Sequence, residues 1–104
     1  MAGIEIQPPS GLSPVLDIGG DVGAVVAYLA EPMGRGELDI QPTGRPERRF
    51  HTGIHRRVIG DGSRAHVAVF PEVHEGAYDL IDDHGQPFAP IVVRGGSVTE
   101  LDRR

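Results

Sequence analysis

The sequence predicts a single all-β domain, built as one antiparallel Greek-key β-sandwich of about seven strands. Three observations carry that expectation. Apolar and polar residues alternate with a period of two in several short runs, which is the pattern of half-buried strands. The 15 Gly and 9 Pro fall between those runs, as turn punctuation does, and form no low-complexity tract. No segment carries a helical apolar stripe of useful length, and no internal repeat is present.

In chain order, residues 1–11 are polar and Pro-rich and read as a flexible arm or an edge strand, with the sandwich domain spanning 12–104. Leu12 to Ile18 has Leu12, Pro14, Leu16 and Ile18 on one parity, and Pro14 assigns that strand to an edge, because proline cannot donate to a ladder. After the Gly19-Gly20-Asp21 turn, Val22 to Ala30 is nearly continuous in apolar residues and predicts a strand buried on most of its length. Glu37 to Gln41 alternates through Leu38 and Ile40 as a half-buried strand.

From Arg48 to Ile59 the even positions include Phe50, Ile54 and Val58, which are expected to face the core. The odd positions Arg49, His51, His55 and Arg57 are expected to face solvent. The loop Gly60 to Ser63 closes a hairpin onto a strand with Ala65, Val67 and Val69 inward and Arg64, His66 and Ala68 outward. A turn at Gly76 precedes a strand carrying Tyr78 and Leu80, and a closing pair of strands follows.

Composition narrows the chemistry. With 104 residues, 38% hydrophobic and 5% aromatic, the chain can build one thin core of small and β-branched side chains. The absence of cysteine removes disulfides, thiolate metal sites and cysteine nucleophiles, and agrees with a reducing, cytoplasmic setting. The first ten residues have neither a basic n-region nor an apolar h-region, so no signal peptide is expected. The longest apolar run, Gly23 to Ala30, is far short of the roughly 20 residues a membrane span needs. A net charge of −5 and few aromatics disfavour nucleic acid as a partner. All basic residues are arginine, and six of them lie between Arg45 and Arg64.

The segment Phe70-Pro71-Glu72-Val73-His74-Glu75-Gly76-Ala77-Tyr78-Asp79-Leu80 resembles the hairpin of carboxypeptidase-regulatory-like, CnaB-like and transthyretin-like domains. The tail Ile91-Val92-Val93-Arg94-Gly95-Gly96-Ser97-Val98-Thr99-Glu100-Leu101-Asp102 resembles the segment that ends such domains. The resemblance covers about a third of the chain and implies a transthyretin- or CnaB-like sandwich; fold likeness leaves function open. It places the turn at Gly76, with Tyr78 and Leu80 in the core and Val93, Val98 and Leu101 closing the second sheet. The Lys–Asn isopeptide bond of CnaB domains is excluded, since the chain has no lysine. The whole chain is also similar to short actinobacterial proteins, some of which carry a phospholipase label.

The residues give that label little to work with. Ser10, Ser13, Ser63 and Ser97 sit beside Gly or Pro or in turn-like stretches, and no G-x-S-x-G elbow is present, so no catalytic residue is assigned and a lipid-ester hydrolase is the least favoured reading. Gly60-Asp61-Gly62 has no following helix to cradle a phosphate. Asp79, Asp82, Asp83 and His84 read as a β-turn cluster without calcium-loop spacing.

The Arg/His run is the best lead. Arg49, His51, His55, Arg57, Arg64 and His66 are expected to share one sheet face, a cationic panel suited to a protein partner, a second copy of the chain or an anionic ligand. The leading expectation is therefore a non-enzymatic binding or assembly module that uses this face or an open edge strand. The alternative is a transition-metal site, zinc or copper, on His51, His55, His66 and His74. His51 and His55 alone would stand roughly 13 Å apart at about 3.3 Å per residue, too far to share a metal with N–metal distances of about 2.1 Å. If the hairpin pairs Ile59 with Arg64, His66 lies opposite Arg57 and diagonal to His55, where it could join them.

Overall fold

A computed structural model describes residues 6–7, 18–31 and 33–104. The strands are β1 (Ile6–Gln7), β2 (Val22–Leu29), β3 (Glu37–Pro42), β4 (Phe50–Ile59), β5 (Arg64–His74), β6 (Gly76–Ile81), β7 (Pro87–Val93) and β8 (Val98–Arg103). A single 3-10 turn, Pro46–Arg48, precedes β4. The chain is all-β over the described residues. Its strands follow the order β7-β6-β3-β4-β5-β2-β8, with β1 added to β4. Among the described residues no helix is long and apolar enough to cross a membrane.

The sheet is mixed: β2 and β8 run parallel, whereas the other pairs are antiparallel. The expectation of a wholly antiparallel arrangement is corrected by that pair, because an apolar run carries no record of which way its neighbour points. The sheet curls until its two terminal strands nearly meet, and the Thr99 hydroxyl donates to the Val92 carbonyl at 3.0 Å across the seam, so the fold is close to a barrel.

β4 is the hinge of this curl. Its first half pairs with β3 (Glu37↔Gly53 to Ile40↔Phe50) and its second half with β5 (Ile54↔Ala68 to Val58↔Arg64). The core-facing set read from its even positions therefore divides. Ile54 packs against the core, but Phe50 and Val58 are 36% and 43% exposed, because they lie near the two ends of a strand that spans the whole barrel.

β2 is apolar throughout because both of its faces are covered. Val25, Ala27 and Leu29 join Leu38, Ile40, Ala68, Phe70 and Leu80 in the interior. Val26 and Tyr28 join Ile59, Ala65 and Val67 in a second cluster on the outer face. The inward and outward sets expected for β5 are thus exchanged: Ala68 is in the interior, and Ala65 and Val67 are outside it, yet all three are buried. Tyr78 and Leu80 are buried in the interior as expected, together with Val93 and, partly, Leu101. Val98 packs on the outer cluster instead.

Two bulges shape the strands, one in the β6–β7 pair between Leu80 and Ile81 and one in the β2–β5 pair. Between Gly23↔Val73 and Val25↔Phe70 the β5 strand holds an extra residue, and Pro71 occupies that bulge, where its missing N–H removes no ladder bond. Near the β7–β8 turn the chains touch backbone to backbone. A Cβ on Gly95 would collide with the Gly20 carbonyl oxygen, and one on Gly23 with that of Arg94. The strand expected over Leu12 to Ile18 lies outside the described residues except for Ile18, which is in no strand, and the 1–11 arm is described only where Ile6 and Gln7 pair with β4.

Candidate functional site

The β4–β5 hairpin decides which of the arginines and histidines meet. The Ile59 N–H donates to the Ser63 carbonyl at 2.9 Å, and the Gly62 N–H donates to the Ile59 carbonyl at 2.8 Å. The loop proper is therefore the three residues Gly60-Asp61-Gly62, with Gly62 at φ +84°, a left-handed conformation that favours glycine. The Asp61 carboxylate accepts the Ser63 N–H at 2.8 Å and the Ser63 hydroxyl, and these bonds hold its pKa below the ordinary carboxylate range.

This loop pairs Val58 with Arg64, so Arg57 faces Ala65, Arg56 faces His66 and His55 faces Val67. The expected register, Ile59 with Arg64, is off by one. In a strand that error moves every side chain to the other face. His66 and Arg64 consequently leave the panel that holds His51, His55 and Arg57, and join Arg56.

The residues left on the outer face are largely committed to neighbours. The Arg49 guanidinium donates twice to the Gln41 side-chain oxygen on β3, at 3.0 and 2.7 Å. His51 Nε2 lies 3.2 Å from Glu37, which also approaches Arg35 at 3.8 Å; Arg35 in turn binds Asp39 at 2.8 Å. The panel thus contains carboxylates from β3 that parity on β4 alone did not disclose. The His55 ring folds back over Gly53, within 3.1 Å of where a Cβ would stand. Arg57 is half-buried, and its Nε and Nη1 have no hydrogen-bond partner among the described residues. His74 stands at the far end of β5, with Nδ1 3.6 Å from Asp21. Among the described residues no group of three or more His, Asp or Glu is gathered as a metal site. The Ser63 hydroxyl donates to Asp61.

Two concavities take the place of the panel, one at each end of β5. The larger, about 580 Å³, opens where β4 and β5 part company. Pairing between them stops at Ile54↔Ala68, and beyond it β5 runs to His74 with a strand on its β2 side alone; the Thr52 hydroxyl, donating to the Val69 carbonyl at 2.9 Å, is the bridge across the split. The 3-10 turn builds the opposite wall. Pro46 starts it with its φ already set, the Arg48 N–H donates to the Arg45 carbonyl at 3.0 Å, and the i, i+3 eclipse of such a turn carries Arg45 and Arg48 on one side.

Phe50 and Tyr78 line the groove between these walls. The Phe50 ring meets Phe70 edge-on at 5.7 Å and Tyr78 at 6.5 Å between centroids. The Tyr78 hydroxyl donates to the His74 carbonyl at 2.7 Å, and burial raises its pKa against the opposing influence of Arg48. Glu72, His74 and Glu75 complete the β5 side. An arginine pair therefore faces an exposed strand edge across an aromatic floor.

The smaller concavity, about 220 Å³, lies at the Arg64 end and is lined by Ala30, Arg56, Arg64, Ala65 and His66. Arg56 was missed by parity, which grouped it with Ile54 and Val58. The signal was Gly62, because a glycine able to take the left-handed conformation at the last loop position suits a three-residue loop with its bulge. Arg45 and Arg48 were missed as a pair because their meeting depends on a single helical turn; the Arg-Pro-x-Arg spacing is its trace in the sequence. Comparison with family models, curated proteins and solved structures returns no match to the chain.

Proposed function

We propose that the protein is a non-enzymatic binding module that takes an extended, acidic segment of a partner protein along the free edge of β5. The observation that carries this reading is the convergence, in one groove, of an unpaired stretch of β5, the Arg45/Arg48 pair and the Phe50/Tyr78 floor. Strand addition supplies main-chain hydrogen bonds, and the groove supplies side-chain selection. Arginine forks match carboxylates in pairs, so acidic residues are the natural complement of that wall. Pro71 and Glu72 sit on this edge, and a proline and a charge are features that discourage indiscriminate pairing while leaving a selected partner admissible.

The panel expected on β4 supports this function less than the groove does, because Arg49 and His51 already hold Gln41 and Glu37. A zinc or copper site on the histidines draws no support from the geometry, since His66 lies across the sheet from His51 and His55. For the architecture, β3, β4 and β5 succeed one another and β6 returns beside β3, a strand order that favours the Greek-key sandwich reading and the resemblance to transthyretin- and CnaB-like domains.

The test uses two fluorescent, extended peptides of matched hydrophobicity, one alternating Glu with Val and the other Lys with Val. The acidic peptide is expected to bind and to protect the free-edge amides of β5 between Val69 and His74, Pro71 having none, from hydrogen exchange, and Arg45→Glu with Arg48→Glu is expected to abolish both effects. Equal binding of the two peptides, or an unaffected double variant, would remove the proposal. Self-association of the unliganded protein with protection of the same amides would assign the edge to a second copy instead.

A further inference from the structure

The recess at the other end of β5 supports a separate assignment, independent of the groove. We infer that Arg56, Arg64 and His66 form a binding site for a small phosphate-type oxyanion. Arg56 and His66 are direct cross-strand partners, and Arg64 lies two residues from His66 on the same face. Two guanidiniums and an imidazole thus converge on about 220 Å³ whose other lining residues are alanines.

Nothing in the lining neutralises them. No hydrogen bond or ion pair to a side chain joins Arg56, Arg64 or His66 among the described residues. Glu31, next in the chain to the lining residue Ala30, makes no ion pair or side-chain hydrogen bond among the described residues, and Asp61 is held by the Ser63 N–H and hydroxyl. Arg103 lies beside Leu29 in the same cross-strand row, but its guanidinium sits over the Phe88 ring at 5.9 Å. Arg56 and Arg64 are diagonal cross-strand neighbours of like charge, which disfavours folding, and they persist in a chain whose net charge is −5. An oxyanion removes that repulsion and gives each arginine a paired acceptor.

Size and lining define the ligand class. The volume is below the roughly 300 Å³ at which drug-sized pockets begin, and there is no aromatic ring on which a base could stack. The fit is therefore inorganic phosphate or the head of a small phosphomonoester, and it excludes a nucleotide held by its base.

The experiment is a titration of the full chain at constant ionic strength, following the His66 ring and the Arg Nε resonances by NMR. Inorganic phosphate is the first probe, glycerol 3-phosphate the second and chloride the control. Saturable shifts confined to Arg56, Arg64 and His66 are expected with both phosphates, and whichever binds more tightly identifies the free or esterified source. Arg56→Gln is expected to weaken binding about tenfold or more, the scale of one charge-assisted hydrogen bond, with Arg56→Lys restoring part of it. Arg94→Gln, on the exposed turn after β7 and in the lining of neither concavity, is expected to leave phosphate binding unchanged. Both arginines are exposed, and unchanged melting temperatures verify that the variants fold. Non-saturating shifts that chloride reproduces, or equal affinity in Arg56→Gln, would overturn the assignment.

Discussion

At its Arg64 end, β5 joins β4 in gathering two arginines and a histidine with no aromatic ring in the lining; at its His74 end it faces two arginines and two aromatic rings and contributes two glutamates to the lining with the turn that follows it. The first recess is made by regular hairpin pairing, so its shape follows from register. The second is made by a failure of pairing, where β4 turns away to β3 and leaves one side of β5 without a neighbour. An arginine pair therefore has different recognition value at the two ends, unopposed in the small recess and facing Glu72 and Glu75 in the groove. A small open cluster of charge suits a compact anion, while an arginine pair above an aromatic floor and a strand edge without a strand neighbour suits a chain.

The most severe way to break the comparison is at the corner behind the groove. Gly95→Ala drives a Cβ into the Gly20 carbonyl and to 2.8 Å from the Asp21 Cα, and backbone on both sides cannot step aside. The expected cost is about 3 kcal/mol or more, read as a fall in melting temperature. Because the Gly95 N–H also donates to Glu75 at 3.3 Å, and the Glu75 N–H to the Asp21 carbonyl at 2.7 Å, the groove should suffer before the Arg56 recess does. Amide exchange that rises at Glu75 while Arg64 to Val67 stay protected would verify this order.

Phe50→Ala comes next. A buried phenylalanine would cost more, but Phe50 is 36% exposed, so about 2 kcal/mol is expected from urea denaturation, including the two edge-on ring contacts. Acidic-peptide binding should weaken and phosphate binding should not. Tyr78→Phe keeps the ring and removes the hydrogen bond to the His74 carbonyl, an expected loss of about 1 kcal/mol. A larger loss would show that the hydroxyl also fixes the β5 edge.

The smallest effect belongs to neither end. The Arg104 side chain, and then its backbone N–H, hold Asp102 at about 2, well below the usual carboxylate value. With the folded pKa depressed, the stabilisation is complete above the unfolded value of about 3.9 and is lost as pH falls through about 2. The pair is solvent-exposed, so the change in stability should be slight. Arg104→Ala should return the Asp102 midpoint, followed by carboxyl NMR, towards the ordinary range and leave both concavities unchanged.

Sequence periodicity disclosed most of the strands because burial imposes it residue by residue. The boundaries of β2, β3 and β6 fall within a few positions of their alternating or apolar runs. Direction and register are relations between strands, and they left weaker marks. The parallel approach of β8 to β2 changes no residue's hydropathy. The pairing of Arg56 with His66 turned on whether Ser63 belongs to the loop or to the ladder. The panel of Arg49, His51, His55, Arg57, Arg64 and His66 was assembled from one strand's parity and one assumed register, and neither could show that β3 brings Glu37 and Gln41 to the same face.

The position of β2 also bears on how the chain folds. The β3–β4 and β4–β5 hairpins close over short spans and can form early, since contacts near in sequence need little loop closure. β2 precedes them in the chain but takes its place between β5 and β8, pairing Leu29 with His66 and Ala24 with Val98. During synthesis the most apolar strand emerges before both strands it pairs with and receives its second neighbour, β8, after β5. Assembly of the sheet's middle is therefore the slow, long-range step, and until β8 arrives one edge of β2 is open to the pairing errors that make nascent β-proteins aggregate.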